Sequence, residues 1–277
     1  MSEQAGLRGK AWFQALTGKD RPQTGDPRSV WSANEKIGPQ TALFLCVVPD
    51  LESRFPCVRD GQVGLEEAYT LAARIRETMD ADRKQPCSQK RPIVAIVDVK
   101  SQAYGRREET AGIFLAAAAS ADAYASARMA GHPVIALVVG QALSGGFLTH
   151  GYQSNCVLAF DDPGVIIHAM HKEAAARITR RSVKDLEQLG HEIVPMSYDI
   201  QDYAKLGILR ELLHVDSPVK PTQSDIDTVK QAIVKAIDEA RRGPLHLNVR
   251  LLSDAAKETR KAGIAARALM EQQWLEA

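Results

Sequence analysis

The feature that most constrains the fold is an unbroken apolar run at residues 134–139, which a turn of small residues follows. A run this short and apolar at every position is typical of a strand buried on both faces of a sheet. We expect the strand to end at Gly140, and Ser144-Gly145-Gly146 to lead into a short helix. The first N–H groups of such a helix lack intrahelical partners and attract anions. The turn therefore predicts either an anion or oxyanion hole, or only a glycine turn that lets strand and helix pack.

Length and composition are typical of a soluble globular protein. The chain has 277 residues, an apolar content of 45% and a formal net charge of +1, which suits one large α/β domain or two small ones. Basic runs with interleaved aromatic residues are absent, so nucleic-acid binding is not expected. The chain has neither an apolar run of membrane-spanning length nor a signal-peptide pattern. Its four cysteines lack CxxC spacing, which predicts reduced thiols in a cytoplasmic protein without a metal site.

Strand and helix patterns alternate along the chain. This alternation predicts parallel βαβ units with right-handed crossovers. Strands are predicted as a hairpin at 30–35 and 41–48, and then at 93–99, 134–139, 157–160, 165–167 and 208–215. Helices are predicted at 10–17, 64–79, 107–130, 172–178, 183–189, 198–206, 225–242 and 245–275, and residues 18–28 and 49–61 are predicted as loops.

Two loops are candidates for ligand binding. Parallel sheets bind ligands beyond the carboxyl ends of their strands. The loops at residues 100–105 and 140–146 follow two buried strands, and each leads into a predicted helix. Two anion-attracting turns without a P-loop lysine suit a thioester or carboxylate better than a polyphosphate. The motifs GxxxxGK[ST] and GxGxxG are absent, so nucleotide binding is not expected.

Four segments resemble one enzyme family. They are RGKAWFQALTG, RPIVAIVDVKSQAYGRREE, GHPVIALVVGQALSGGFLTHGYQ and DDPGVIIHAMHKEAAARIT. They are similar to the carboxyltransferase branch of the crotonase superfamily, and within it to the gamma subunit of malonate decarboxylase. The resemblance covers nearly the whole chain and weakens after about residue 222. It implies an α/β fold of stacked ββα units (the ClpP/crotonase fold). One carboxyltransferase-type domain would span residues 1–277, with an N-terminal helix and loop at 1–28 and C-terminal helices at 222–277.

The resemblance implies a decarboxylation. In this family the beta and gamma subunits together convert malonyl thioester on an acyl carrier protein to acetyl thioester and CO2. Loss of CO2 leaves an enolate with its charge on the thioester oxygen, which backbone N–H groups can stabilise. The chain itself would bind no cofactor, because the substrate is carried on the prosthetic group of the acyl carrier protein. The resemblance fits biotin-dependent and biotin-independent systems alike.

The resemblance also implies partners. These are an obligate beta subunit, the acyl carrier protein and an alpha transferase subunit, and they include neither nucleic acid nor a membrane. The alanine-rich helix at 107–130 would contact the beta subunit or lie buried within this domain. Arg106 and Arg107 would attract an acidic carrier protein or lie at a solvated helix start.

Glycines of the two loops would form one oxyanion hole. By resemblance its donors are Gly105, Gly145 and Gly146, and it would face the leaving carboxylate. A homologous domain would supply the second hole, for the thioester oxygen. Ser144 could donate its hydroxyl to the substrate carboxylate or cap the following helix. Gln141 could contact substrate or be an ordinary loop residue.

Further candidates lie in the first loop and after the second. Ser101 and Gln102 could hydrogen-bond substrate or only shape the turn. Tyr104 could pack beside the hole or lie in the core. His168 and His171 are three residues apart, and one of them, with His168 as the named candidate, could protonate the enolate.

A peptidase is the rival of another class. Ser144 and His168 match the nucleophile and base of the proteolytic subunit of Clp protease. The aspartate of that triad would fall near Pro195, which cannot orient an imidazole, and glycines replace the residues after the nucleophile. We therefore rank a decarboxylase above a peptidase. An enoyl hydratase, whose glutamate pair cannot be placed, and a non-catalytic scaffold subunit are further alternatives.

Overall fold

The computed structural model describes residues 7–276. Its strands are β1 (Val30–Ile37), β2 (Gln40–Val47), β3 (Ile93–Val99), β4 (Val134–Leu143), β5 (Cys156–Phe160), β6 (Ile166–His168) and β7 (Leu209–Leu213). They form one seven-stranded sheet in the order β1-β2-β3-β4-β5-β7, and β6 pairs with the end of β4.

Helices surround this sheet. They are α1 (Leu7–Thr17), α2 (Pro56–Arg59), α3 (Leu65–Ala81), α4 (Arg106–Ala111), α5 (Ile113–Met129), α6 (Ser144–Thr149), α7 (Lys172–Thr179), α8 (Val183–Glu192), α9 (Ile200–Ala204), α10 (Gln223–Arg242), α11 (Asp254–Thr259) and α12 (Lys261–Glu276). Short 3-10 helices lie at Val194–Met196 and Leu247–Leu251. None of the helices between residues 7 and 276 combines the length and apolar character that a membrane span needs.

The two buried strands predicted from the sequence form the middle of the sheet. β1 and β2 make the expected antiparallel hairpin, and every other strand pair is parallel. All residues of β3, and all residues of β4 except Gln141, are buried. Because helices cover both faces of such strands, their sequences read as continuous apolar runs. The carboxyl ends of β3 and β4 therefore meet at the same edge of the sheet.

The prediction that the strand ends at Gly140 is wrong. β4 continues to Leu143, and its last three residues pair with β6. The backbone N–H of Gln141 donates to the buried Asp98 carboxylate at 3.0 Å. A Cβ at Gly140 would lie 2.2 Å from that carboxylate, so glycine is needed there for close approach and not as a strand terminator.

Two predicted long helices are divided. The helix predicted over 107–130 is α4 followed by α5, because Gly112 adopts a left-handed conformation with φ of +85° that ends the first helix. The helix predicted over 245–275 is a 3-10 helix followed by α11 and α12. The Ser253 hydroxyl caps α11 by accepting from the Ala256 N–H at 3.1 Å.

Smaller differences occur at two other places. The helix predicted over 198–206 begins only at Ile200, because the Asp199 carboxylate accepts from the Gln201 N–H as an N-cap. The loop predicted over 49–61 contains the single turn of α2. The remaining predicted elements match the structure within a few residues at each end.

Candidate active site

The loops after β3 and β4 lie against each other. A Cβ at Gly146 would lie 2.5 Å from the carbonyl carbon of Ser101 and 2.6 Å from its oxygen, so the two backbones are in contact. A Cβ at Gly145 would lie 2.7 Å from the amide oxygen of Gln102. The two glycines therefore permit the close approach of the two strand-end turns.

Ser144 occupies an unusual conformation between these turns. Its φ is +54°, a left-handed value that costs a residue with a Cβ about 1–2 kcal/mol. The N-cap of α6 is Leu143, so the alternative that Ser144 caps the helix is wrong. Its hydroxyl makes no hydrogen bond to any residue between 7 and 276. A strained residue with an unpaired hydroxyl is a feature that clusters at ligand sites.

A cavity of about 350 Å³ lies beside this turn. Its lining residues are Ser101, Gln102, Tyr104, Ser144, Met170, His171, Ala174, Arg177 and Ile178. The structure thus brings together one serine of the second loop and three candidates of the first. Tyr104 is 59% exposed, so the alternative of a buried core tyrosine is wrong.

Four predicted site glycines and amides lie outside the lining of this cavity: Gly105, Gln141, Gly145 and Gly146. Gly105 is the N-cap of α4, and a Cβ there would meet the Glu108 carboxylate at 2.8 Å. The side-chain amide oxygens of Gln141 and Gln102 are both buried without a hydrogen-bond partner in the described part of the chain. Buried polar atoms are rarely left unpaired, so both amides are available to a ligand or to water.

The two histidines differ in their surroundings. The His168 ring stacks on Tyr198 at 3.9 Å, its Nδ1 lies 3.0 Å from the Met170 carbonyl oxygen, and burial lowers its pKa. His168 does not line the cavity, whereas His171 does. Nε2 of His171 lies 3.0 Å from the Lys100 carbonyl oxygen. A neutral His171 must donate from Nε2 to that carbonyl, which leaves Nδ1 as an acceptor.

The geometry does not assemble a peptidase triad. Within residues 7–276, no hydrogen bond joins Ser144 to His168. Nδ1 of His168 faces a backbone carbonyl and not a carboxylate, and Pro195 lies in a 3-10 helix. An activated serine requires both contacts.

A larger cavity, of about 650 Å³, lies under α8 and the loop before β6. It contains none of the site residues that the sequence predicts. Among residues 7–276, no group of three or more His, Cys, Asp or Glu side chains is arranged to hold a metal ion. The cavity beside Ser144 is lined by four of the predicted site residues, Ser101, Gln102, Tyr104 and Ser144, and is therefore the candidate for the predicted chemistry.

His150, which sequence reasoning missed, fixes the helix that follows Ser144. Its Nε2 donates to the Ile96 carbonyl oxygen in β3 and its Nδ1 accepts from the Tyr124 hydroxyl in α5, both at 2.9 Å. Burial lowers the pKa of His150 to about 4, so it stays neutral at neutral pH. The only available signal was a lone histidine just after an apolar segment, which does not identify its partners.

We expect the stability to fall as the pH decreases from about 6.5 to about 4. Unfolded His150 has a pKa of about 6.5, so in this window the unfolded chain binds a proton that the folded chain does not. The loss attributable to this residue is of the order of 3 kcal/mol. Urea titrations at several pH values should show a shallower decline in His150→Gln than in the parent. Equal declines in the two proteins would contradict this role.

A family model describes the same chain. The model of the malonate decarboxylase gamma subunit, MdcE, matches residues 58–274. The malonyl-S-ACP:biotin-protein carboxyltransferase MADD of Malonomonas rubra is 33% identical over 192 residues. That match covers 69% of this chain and 62% of the length of the relative.

Solved structures agree with the family model. The chain is 48% identical to a chain of a Pseudomonas malonate decarboxylase hetero-tetramer in complex with coenzyme A, with a TM-score of 0.90. It is 46% identical to a chain of the Pseudomonas malonate decarboxylase MdcD-MdcE hetero-dimer, with a TM-score of 0.86. Each match covers 96% of this chain and 99% of the other.

A more distant structure bears on the fold alone. A transcarboxylase 12S chain is 16% identical with a TM-score of 0.61, and the match covers 87% of this chain and 41% of that one. This confirms the predicted crotonase-like carboxyltransferase fold. With most of its length matched by the family model, the chain belongs to the malonate decarboxylase gamma subunit family.

Proposed function

We propose that this chain, together with a beta subunit, decarboxylates malonyl thioester carried on an acyl carrier protein. The observation that carries the proposal is the backbone contact between Gly146 and Ser101, which gathers two strand-end loops around the cavity beside Ser144. The substrate class is supported by the Malonomonas rubra relative, whose name gives malonyl-S-ACP as its substrate. Release of CO2 from malonyl carrier protein by the assembled subunits is the experiment that tests it.

The chemistry requires stabilisation of negative charge. As the bond to the carboxylate breaks, its electron pair moves to form an enolate with charge on the thioester oxygen, and CO2 leaves. A proton then adds to carbon and gives the acetyl thioester. A backbone N–H aimed at the developing oxyanion contributes about 3–4 kcal/mol. We assign this role to the second hole, which a homologous domain supplies. The N–H groups of Gly145, Gly146 and Gly105, with the Ser144 hydroxyl, hold the leaving carboxylate.

The candidate site lies beside an exposed apolar surface, and a partner subunit is needed to complete it. Phe114 and Leu115 on α5, and Leu148 on α6, are each more than half exposed beside the loops. A shallow groove of about 320 Å³ that contains Phe114, Leu148 and Gly145 separates α5 from α6. Adjacent exposed apolar side chains mark interaction surfaces. We propose that the beta subunit covers this groove and supplies the second oxyanion hole, a proposal supported by the hetero-dimeric Pseudomonas relative.

We expect Ser144→Ala to reduce decarboxylation only partly. The hydroxyl is one hydrogen bond among several, worth about 0.5–1.5 kcal/mol or up to 3 when it meets a charged group. The kcat of the assembled complex should therefore fall about 2- to 150-fold. Labelling of Ser144 by a fluorophosphonate in the native complex would instead support a nucleophilic serine and contradict this assignment.

Two histidine variants separate the candidates for proton delivery. His171 lines the cavity, and His168 is held against Tyr198, so we expect His171→Gln to lower kcat more than His168→Gln does. A kcat that falls equally in both variants, or only in His168→Gln, would contradict the assignment to His171.

The wider assembly follows from the same family. We propose that residues 1–277 form one carboxyltransferase-type domain of a cytoplasmic complex that also holds the acyl carrier protein and an alpha transferase subunit. Co-purification of the four chains from a cytosolic fraction is the expected result. Recovery of this chain with the membrane fraction, or without those partners, would contradict it.

A further inference from the structure

Four exposed cations lie between the end of α7, which borders the cavity, and the first turn of α8. This basic ridge comprises Arg177, Arg180, Arg181 and Lys184. Arg177 lies in α7, Arg180 and Arg181 follow that helix, and Lys184 lies in the first turn of α8. Their side chains make no ion pair or hydrogen bond with residues 7–276.

The surrounding acidic groups do not neutralise the ridge. Residues 172–187 contain five cations and three anions, a net charge of +2, whereas the whole chain has +1. Asp185 is engaged in the N-cap of α8, where it accepts from the Ser182 N–H at 3.0 Å. Glu187 pairs with Lys172 at 2.8 Å, which leaves Glu173 as the other nearby carboxylate. Uncompensated charge of one sign attracts a partner of the opposite sign.

Arg180 occupies a position that suits glycine. It is the C-cap of α7 with φ of +54°, in the left-handed region where a Cβ is unfavourable. The chain therefore carries an arginine where glycine would stabilise the fold. Such a strained arginine is expected where the guanidinium binds a ligand or partner.

The ridge begins at the candidate active site. Arg177 lines the cavity that Ser144 also lines, and the other three cations continue from there onto α8. A macromolecule bound along the ridge would place a flexible prosthetic arm at the mouth of the cavity. One phosphate group cannot contact four cations distributed over two helices, whereas an extended acidic surface can.

We propose that the basic ridge is the docking surface for the acidic face of the acyl carrier protein that delivers the malonyl thioester. This inference rests on the proposed function and adds the place and chemistry of carrier recognition. Charge complementarity of this kind acts mainly on association, and salt weakens it. Recognition should therefore be lost at high ionic strength while the chemical step is preserved.

The test uses the assembled beta–gamma complex with Arg180→Glu and Arg181→Glu combined. At low salt, KM for the malonyl carrier protein should rise at least about tenfold with unchanged kcat. KM for malonyl-pantetheine, which lacks both protein and phosphate, should not change. The matched control combines Arg83→Glu with Lys84→Glu, two exposed positions after α3, and should retain the parental KM.

Direct binding makes the test independent of catalysis. Calorimetric titration of the holo carrier protein into the complex should show Kd at least about tenfold weaker for the Arg180→Glu/Arg181→Glu variant. Equal Kd values would overturn the inference, even if the parent complex decarboxylates every malonyl thioester. A parent complex that binds the carrier through the ridge but releases no CO2 would instead refute the proposed function alone.

Two further results decide between sources of the negative charge and between roles of Arg180. An equal rise of KM for malonyl-CoA would show that the ridge binds phosphate and would overturn its role as a carrier docking surface. Dissociation of the beta subunit from the charge-reversed chain would also overturn that role, because the ridge would then belong to the subunit interface. Arg180→Gly should keep or raise the melting temperature, because it relieves the left-handed strain, and should still weaken carrier binding. A lower melting temperature with unchanged binding would make Arg180 a structural residue.

Discussion

Replacing Gly146 by valine is expected to lower the kcat of malonyl decarboxylation at least about 100-fold, because small displacements of catalytic groups have effects of this size. A side chain at this position would meet the backbone of Ser101, with its Cβ 2.5 Å from the carbonyl carbon. Backbone atoms cannot rotate away as the end of a side chain can. The two loops must therefore separate, and the N–H groups of the second loop that we propose as donors move with them.

The neighbouring glycine is the matched control. A Cβ at Gly145 would meet only the end of the Gln102 side chain, which can rotate. Gly145→Ala should thus lose much less activity than Gly146→Ala, and both variants should assemble with the beta subunit. A folded Gly146→Val complex with the parental kcat would show that the second loop does not belong to the active site.

Removal of α12 is expected to abolish assembly with the beta subunit. None of the 16 residues of α12 is buried, and Trp274 and Leu275 are 85% and 82% exposed. Burial of a large apolar side chain stabilises by about 1.5–3 kcal/mol, so several of them together set the affinity of a subunit contact. We expect the full interface to exceed roughly 2,000 Å², the range of obligate partners.

Size-exclusion chromatography of the mixed subunits checks this expectation. The chain without residues 261–277 should elute apart from the beta subunit, whereas the full chain should elute with it. Gln272→Glu, a polar change on the same helix, should leave the complex intact. Co-elution of the truncated chain at parental affinity would show that α12 adds nothing to the contact that we propose at the groove between α5 and α6.

The parts of the fold that the sequence predicted depend on local pattern. β3 and β4 are continuous apolar runs because both of their faces are covered, and the turn at Ser144 follows from small residues after such a run. The extension of β4 to Leu143 depends on the Asp98 carboxylate, which lies 43 positions away in the chain from its partner. The break between α4 and α5 depends on the left-handed backbone conformation of Gly112, which a single glycine in the sequence does not predict.

In the candidate site, too, local sequence pattern predicted some residues, and tertiary contacts decided the others. Ser101, Gln102, Tyr104 and Ser144 were predicted because the carboxyl ends of adjacent parallel strands meet, and they do line one cavity. The sequence analysis named His168 as the candidate proton donor, whereas His171 is the histidine that lines the cavity. Which imidazole faces the cavity depends on the stacking of His168 on Tyr198 and on the bond of His171 to Lys100, and both are tertiary contacts. His150 was missed for the same reason.

We propose that this chain provides one half of a malonyl thioester decarboxylase. The decisive measurement is the release of radiolabelled CO2 from malonyl carrier protein with this chain alone, with the beta subunit alone and with both. We expect release only when both subunits are present, with each subunit inactive by itself. A monomer of this chain that releases CO2 at the rate of the complex, or an assembled complex that releases none, would contradict it.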